Sequence, residues 1–370
     1  MKIVLYILSG IAVLIAGFFA WFFLFFLKVP PLELTAEMSP TQKVEAVDDW
    51  FEHLQKADKF NGAVLYVEGS KELLAKGYGY TNHTKEVELT ANASFRLASV
   101  SKQFTATGIM LLKEKGSLDY DDLVSQHLVG FPYEKVTIRH LLNQVSGVPD
   151  IYLELAEVQK DNIPVLTNKK AVDLIIKENR KTEVAPNEKY QYSNTNYILL
   201  ARIIEVVSGL SFEAYMQKEL FTPLGMSNTR VWNLISANKT FKNKTDDFDN
   251  ARGNPKALTP TFVDGVAGDG AVFSSAKDMF LWDKFWYENS LIGQENLQEA
   301  FKKPTLNDGT ISDYGFGWII TEKGMWHDGA WLGARTVIIR DTDSRNCLVV
   351  LDNSANVFFD EILKALKVLV

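Results

Sequence analysis

The most apolar part of the chain is its N-terminal segment, where residues 3–27 carry no charge. As a helix rising about 1.5 Å per residue, the segment would span roughly 37 Å, enough to cross a bilayer core of about 30 Å with some tilt. A cleaved signal peptide, the alternative, has a shorter apolar core and small residues at its exit. The exit here reads Phe26-Leu27-Lys28-Val29-Pro30, with no such residues and no cysteine for lipid attachment. The pattern favours an uncleaved transmembrane helix within an anchor over residues 1–30, followed by a linker over 31–40.

Beyond the linker, the spacing of apolar residues predicts both helices and strands. Apolar residues at helical spacing predict a helix over residues 41–58. Two strand-like runs, residues 63–68 and 72–77, flank Gly69-Ser70 and predict a hairpin. A second helix is expected over residues 99–115, because Gly116 provides a stop. Strand patterns return near the C-terminus, followed by a last apolar helix; these segments are residues 318–321, 325–329, 336–340, 347–351 and 358–369.

Strands near both ends of the chain, with a largely helical pattern between them, predict an α+β fold and not a doubly wound one. The strands would form one antiparallel sheet flanked by helices, with a mostly helical inserted subdomain. We assign residues 41–370 to one domain, its α/β part at residues 41–116 and 264–370 and its helical part at 117–263. Residues 236–256 are rich in Lys, Asn and Asp and are expected to be exposed.

Composition narrows the classes of function. The net charge is −7 at pH 7, and no concentrated basic run is present, which argues against a nucleic-acid partner. The five histidines show no ligand-like spacing, so neither a metal site nor a cofactor is expected. The single cysteine, Cys347, lies in an apolar run and is expected to be buried.

The segment Ser99-Val100-Ser101-Lys102 can supply a nucleophile and a base. A serine and a lysine three residues apart at a helix start lie on one face of the helix. A serine hydroxyl is a weak nucleophile until a base removes its proton, and a lysine serves as that base only where burial or other cations lower its pKa. The apolar helix that follows offers that burial. Because the S-x-x-K pattern also occurs at Ser236 and Ser274, the pattern alone is weak.

Two motifs later in the chain strengthen the interpretation of the S-x-x-K pattern at Ser99. Tyr192-Ser193-Asn194 directly precedes a helical pattern, so its tyrosine could relay a proton and its amide could bind a substrate. His327-Asp328-Gly329 lies on a strand-like segment, and its glycine would let a substrate backbone approach closely.

Together these residues resemble the serine β-lactamase and penicillin-binding protein superfamily, in the manner of class C enzymes. Residues 95–104, which surround Ser99, are similar to the nucleophile segment of that family nearly residue for residue. The supporting segments occur in family order over about residues 40–365; they are residues 138–142, 146–149, 186–194, 221–226, 268–270 with 274–278, and 314–318.

The resemblance implies a β-lactamase-like fold and a role for each matching residue. Ser99 would be the acylated nucleophile, Lys102 its base and Tyr192 a participant in proton transfer. Asn194 would hold the substrate amide, and His327 would replace the third-motif lysine. The remaining matches are Gly329, beside which the substrate would lie, and Ala330, whose N–H would complete an oxyanion hole with that of Ser99.

The third motif departs from the Lys-Thr-Gly of many family members. In that form the threonine helps to hold a substrate carboxylate, whereas Asp328 facing the same way would repel one. The departure favours a substrate that is neutral or cationic near the scissile bond, such as an N-terminal D-amino acid or an ester. The alternative, that Asp328 turns away from the site, stays open.

The function expected from the sequence is a serine hydrolase that forms an acyl-enzyme on Ser99 and cleaves an amide or ester. Its small-molecule or peptide substrate would be a cell-envelope D-amino-acid peptide, a β-lactam-like compound or a small ester. A penicillin-sensing domain or a peptide-binding scaffold without turnover is the alternative. The apolar N-terminal segment predicts a membrane-anchored protein, and the chemistry of the family implies that its catalytic domain lies outside the cytoplasm, in the periplasm or on the outer face of a bacterial inner membrane.

Overall fold

The computed structural model describes residues 28–35, 37–182, 184–236, 241–250 and 254–370. The predicted transmembrane helix within residues 3–27 lies outside this part of the chain. Within it, no helix is both long and apolar enough to cross a membrane. The described residues fall into two compact units, one comprising the chain up to Phe60 with Val357–Leu369 and the other Asn61–Asn356.

The helices and strands follow the α+β order expected from the sequence. The α-helices are α1 Pro40–Lys56, α2 Ser101–Glu114, α3 Val124–His127, α4 Ile138–Leu142, α5 Tyr152–Val158, α6 Asn168–Glu178, α7 Asn194–Ser208, α8 Phe212–Met216, α9 Ala276–Phe285, α10 Gln294–Glu299 and α11 Phe359–Leu366. The strands are β1 Gly62–Glu68, β2 Lys71–Tyr78, β3 Phe95–Arg96, β4 Arg230–Val231, β5 Phe248–Asp249, β6 Lys256–Ala257, β7 Val272–Ser274, β8 Ile319–Ile320, β9 Gly324–Trp331, β10 Ala334–Asp341 and β11 Asn346–Asp352.

The first unit contains α1 and α11. Ser39 caps α1 by accepting a hydrogen bond from the backbone N–H of Gln42, whose side chain accepts in return from the N–H of Ser39. The apolar stripe of α1 is buried at Val47, Phe51 and Leu54, as the helical spacing of the sequence requires. The predicted helices at both ends of the domain are thereby confirmed.

The second unit is built on a six-stranded antiparallel sheet in the order β2-β1-β11-β10-β9-β8. The predicted hairpin β1–β2 is present, and β1 pairs with β11, nearly the last strand of the chain. Strands that are far apart in sequence therefore form one sheet. The antiparallel α+β prediction is confirmed.

The helical core rests on α2, which is buried along nearly its whole length. It packs against α7, while α9 lies across β1, β2 and β11. Gly108 permits the close approach of α2, because a Cβ there would lie 2.9 Å from Ile204 Cδ1 and 3.0 Å from Met216 Sδ. This packing holds the first turn of α2 rigidly beside the sheet.

The segment 236–256 is less exposed than its polar composition predicted. Within its described residues, Asp247 and Phe248 are buried. Asp247 accepts a hydrogen bond from Nε of Arg96 at 2.8 Å, so a charge counted as a surface residue is half of a buried ion pair. Two-residue strands such as β4 and β5, which the sequence pattern did not indicate, also lie in the region predicted to be mostly helical.

Candidate active site

Ser99 lies in a single 3₁₀ turn, Ala98–Val100, between β3 and α2. The sequence predicted a helix beginning at Ser99, whereas the α-helix begins at Ser101. Ala98 has a φ of +47°, a left-handed conformation that is costly for any residue with a side chain. The turn is fixed to the sheet, since Oγ1 of Thr336 donates to the Leu97 carbonyl oxygen at 2.7 Å. The sheet thus holds Ser99 in a strained turn whose other two residues are buried, and Ser99 itself is half-buried.

Lys102 is fully buried one helical turn after Ser99. Its Nζ lies 3.1 Å from Ser99 Oγ, 2.8 Å from Asn194 Oδ1 and 2.8 Å from the Asp269 carbonyl oxygen. As an ammonium group it can donate to all three oxygens. As a neutral amine it keeps two donors and offers a lone pair to the Ser99 proton, which is the geometry that a general base requires.

The Tyr192-Ser193-Asn194 motif joins this cluster at the start of α7. The Tyr192 ring centroid lies 4.9 Å from Lys102 Nζ, and its side chain is partly exposed. Asp150, which sequence reasoning did not single out, accepts from both N–H and Oγ1 of Thr195 and so fixes the helix start. Tyr192 therefore stands between the buried lysine and solvent.

Gln144, a residue with a strained backbone, positions the loop that contains Tyr192. Gln144 has a φ of +59°, and its Oε1 accepts from Ser193 N–H at 3.0 Å and from Asn196 Nδ2 at 2.6 Å. Its backbone oxygen also accepts from Gln191 N–H at 2.9 Å. No sequence motif marked Gln144, because a left-handed glutamine has no signature in a one-dimensional pattern.

His327 is buried beneath the site on β9 and is held in one tautomer. Its Nδ1 lies 2.6 Å from the Asp328 carbonyl oxygen, so Nδ1 carries the proton and Nε2 accepts from the Tyr314 hydroxyl at 3.0 Å. Burial, followed by the charge of Lys102, lowers the pKa of His327 to about 3. The residue at the position of the third-motif lysine is therefore a neutral imidazole.

Gly329 and Ala330 follow on the same strand. A Cβ at Gly329 would lie 2.4 Å from the Leu97 carbonyl oxygen and 2.8 Å from the Ser99 nitrogen, so only glycine lets β9 approach the nucleophile turn. β8 pairs with β9 only as far as Trp326. In the described part of the chain no strand pairs with residues 327–331 on that side, and this edge faces the site.

The cavity at Ser99 contains residues that the sequence did not assign to the site. Tyr152 donates to Oδ2 of Asp269 at 2.9 Å, and Trp331 Nε1 donates to Oδ1 of Asp264 at 2.8 Å. Burial raises the pKa of Asp269, and the charge of Lys102 opposes that effect. These side chains line one cavity together with Ser99, Asn194 and Ala330.

All seven residues predicted from the sequence therefore meet in one place: Ser99, Lys102, Tyr192, Asn194, His327, Gly329 and Ala330. Among the described residues, no group of three or more His, Cys, Asp or Glu side chains is arranged to hold a metal ion. The arrangement joins a serine, a buried amine, a phenol and a strand edge, which suits acyl transfer.

The sequence relationships agree with this geometry. The Beta-lactamase family model matches residues 47–369. The chain is 40% identical over 317 residues to penicillin-binding protein 4* of Bacillus subtilis, covering 82% of this chain and 70% of that one. It is 28% identical to protein flp of Staphylococcus aureus, covering 87% of this chain and 66% of that one. The chain thus spans about two thirds of the length of these relatives.

Solved structures share the fold. A penicillin-binding protein from Bacillus halodurans superimposes with a TM-score of 0.74 at 23% identity, over 86% of this chain and 99% of that one. The D-amino acid amidase of Ochrobactrum anthropi gives 0.70 at 22% identity, over 88% and 98%. With the family model matching most of the chain and a relative at 40% identity, this chain belongs to the β-lactamase family and is a serine hydrolase of that family.

Proposed function

We propose that this hydrolase cleaves an amide or an ester through a covalent acyl-enzyme on Ser99. The observation that carries the proposal is the 3.1 Å separation between Ser99 Oγ and the Nζ of a fully buried Lys102. In the form of the enzyme whose Lys102 amine is deprotonated, Oγ attacks the substrate carbonyl carbon and its proton passes to that amine. The lysine then holds the proton that the leaving group needs.

The tetrahedral intermediate places negative charge on the former carbonyl oxygen. In the proposal, the backbone N–H groups of Ser99 and Ala330 donate to that oxygen; one such donor is worth roughly 10²–10³ in rate. Support comes from the close approach of the two backbones, since a Cβ added at Gly329 would lie only 2.8 Å from the Ser99 nitrogen. Collapse breaks the bond to the leaving group, which takes the proton from Lys102 by way of Tyr192.

Deacylation reverses the proton path. Water attacks the acyl carbon and gives its proton to the neutral amine of Lys102, and the bond between the acyl carbon and Ser99 Oγ breaks. Ser99 Oγ then regains a proton from Lys102, and the acid product leaves. The partial exposure of Tyr192 gives water a route to this point.

For the substrate we propose an amide or ester that carries no carboxylate next to the scissile bond. His327 is neutral and its Nε2 is occupied by Tyr314, so it offers no cation to an anionic substrate. Along the strand, side chains alternate, which places Asp328 on the face opposite His327, where it is exposed. Burial is the main cause that raises the pKa of Tyr190 to about 12, and the charge of Asp328 adds to that effect, which supports a neutral or cationic substrate. By its name, the structurally similar amidase acts on D-amino acid amides, and that class fits.

We also propose that residues 1–30 anchor the protein in a membrane, with the hydrolase domain on the outer face. Support comes from the uncharged run of residues 3–27 and from a site suited to substrates of the cell envelope. The proposed steps use only protein groups, water and the substrate.

Labelling tests the acyl-enzyme directly. The full chain, held in detergent, is exposed to a fluorophosphonate and separately to a penicillin, and its intact mass is measured. We expect an adduct that disappears in Ser99→Ala. Lys102→Met, which preserves volume, should slow turnover by about 10²–10⁴-fold, whereas exposed Lys56→Met should not.

The outcomes separate this proposal from its rivals. Adducts without release of product would point to a penicillin-sensing domain. Absence of any adduct, with the protein folded by circular dichroism, would contradict a reactive Ser99 and leave a peptide-binding scaffold. Activity of Lys102→Met within tenfold of the parent would exclude Lys102 as the base.

A further inference from the structure

A second cavity, separate from the one that contains Ser99, lies beside Tyr190 and Tyr314. It is lined by Tyr190, Ser312, Asp313, Tyr314 and Ile319. Ile319 is the first residue of β8 and pairs with Trp326, the residue of β9 directly before its unpaired edge. The cavity thus lies next to the strand edge along which a substrate would lie.

Ring contacts connect this cavity to the reacting groups. Tyr192, whose ring lies 4.9 Å from Lys102 Nζ, is 6.1 Å from the Tyr314 ring, and Tyr190 is 5.8 Å from Tyr314 on the cavity side. Large apolar side chains are normally buried, yet Tyr190 is 42% exposed. An exposed ring next to a buried ring offers a face on which another ring can pack.

The direction of proton transfer decides which part of a substrate reaches this cavity. The acyl carbon must sit at Ser99 Oγ, next to the cavity that also contains Asn194, Asp269 and Ala330. The atom that leaves must take the proton held by Lys102, and the donor must lie within hydrogen-bond reach of it. The leaving group therefore departs towards Tyr192, and the tyrosine-lined cavity is the next space it meets.

Charges around the cavity restrict what can enter. Asp313 is paired with Lys303 at 2.7 Å, so that lysine is already engaged. Burial first, and then the charges of Tyr192 and the Asp328 carboxylate, raise the pKa of Tyr190 to about 12. A carboxylate on the leaving group would meet the carboxylates of Asp313 and Asp328 here, whereas an uncharged ring would meet tyrosine and isoleucine side chains.

We propose that the cavity lined by Tyr190, Tyr314 and Ile319 is a subsite for an uncharged, flat ring on the leaving group. This inference rests on the proposed acyl-enzyme. For an ester, Ser99 Oγ forms its bond to the acyl carbon while the bond from that carbon to the alkoxy oxygen breaks. The alcohol, protonated through Lys102 and Tyr192, leaves with its ring in the subsite.

A pair of esters with matched leaving groups tests the subsite. D-Alanine methyl and benzyl esters share their acyl group, and their alcohols have similar acidities, so a difference in kcat/KM reports on the ring. Burial of a phenyl ring should favour the benzyl ester by roughly tenfold or more. In Tyr190→Ala the ratio of the two kcat/KM values, benzyl over methyl, should fall at least about fivefold, and Tyr190→Phe should retain it. A 4-carboxybenzyl ester should be a poorer substrate than the benzyl ester.

The results that would contradict the proposed acyl-enzyme differ from those that would contradict the proposed subsite. Hydrolysis of the methyl ester supports the acyl-enzyme by itself; a benzyl preference that is absent, or unchanged in Tyr190→Ala, would overturn the subsite alone. If neither ester is cleaved, saturation-transfer NMR with benzyl alcohol on Ser99→Ala reads the subsite without turnover. Signals that vanish in Ser99→Ala/Tyr190→Ala support it, and signals that are absent or persist in the double variant overturn it.

Discussion

At the scale of single residues, His327 couples the site to the stability of the fold. Its pKa in the folded protein is lowered to about 3, against about 6.5 in an unfolded chain. Between these two pKa values, unfolding takes up a proton on His327. The contribution of the buried neutral imidazole to stability is therefore complete above about pH 6.5 and is lost as the pH falls towards 3. His327→Gln should reduce the decrease in unfolding free energy between pH 7 and pH 5 by about 2 kcal/mol.

Urea denaturation at the two pH values measures this difference. His53→Gln provides the control, because His53 is exposed on α1, and it should leave the pH dependence unchanged. An equal decrease in the parent and in His327→Gln would show that His327 is not buried in its neutral form.

Gln144 is the residue on which the position of Tyr192 depends. Gln144→Gly relieves the left-handed backbone but removes the oxygen that holds Ser193 and Asn196. Because misplacement of a catalytic group by about 1 Å can cost about 10²-fold, kcat should fall about tenfold to hundredfold with a smaller effect on KM. Gln144→Glu keeps an accepting oxygen and should recover most of the lost rate.

The matched control for Gln144 is Asn179→Gly. Asn179 has a φ of +46° at the end of α6. Asn179→Gly therefore makes the same relief of a left-handed residue away from the site, and this variant should keep the kcat of the parent enzyme. A Gln144→Gly enzyme with unchanged kcat, measured by steady-state kinetics on any ester that the parent cleaves, would show that the loop holds its position without Gln144.

At the scale of secondary-structure elements, β9 must lie directly against the nucleophile turn. Gly329→Ala would place a methyl group 2.4 Å from the Leu97 carbonyl oxygen and 2.8 Å from the Ser99 nitrogen. Strand and turn would have to separate, which would misalign the proposed oxyanion donors. We expect kcat/KM to fall by roughly 10²-fold or more, the value of one such donor.

Gly293→Ala tests whether that loss is specific. Gly293 precedes α10, and a Cβ there meets only the flexible Glu114 side chain, at 3.2 Å. It should retain activity and melt close to the parent temperature. If Gly329→Ala were also fully active, the oxyanion hole would not depend on the close approach of β9.

Which elements could be predicted depends on how far their cause extends along the chain. The hairpin β1–β2 and the helix α1 follow from local patterns and were predicted. The turn at Ser99 was not, because its 3₁₀ geometry is imposed by Thr336 and Val272, which are distant in sequence. For the same reason Asp247 was assigned to the surface, since its partner Arg96 lies 151 positions away.

The site divides in the same way. The residues proposed to react were found through their motifs, whereas Gln144, Tyr152 and Asp269 make contacts that only the fold creates. The neutral state of His327 also required the structure, because it arises from burial and from Tyr314. Sequence motifs thus identified the chemistry, and the structure identified what positions and limits it.

At the scale of the whole molecule, the proposed membrane topology can be tested with a single introduced thiol. Cys347 is the one cysteine of the sequence; it is buried in β11, and burial raises the pKa of its thiol, so it should not react. Val129 is 93% exposed in the unit that contains the site. In Val129→Cys, a membrane-impermeant maleimide added to intact bacterial cells should label the chain if the hydrolase domain faces outwards. The parent chain, whose only thiol is that of Cys347, is the control and should stay unlabelled. If Val129→Cys is labelled only after the membrane is permeabilised, the domain lies inside the cell and the proposed orientation is overturned.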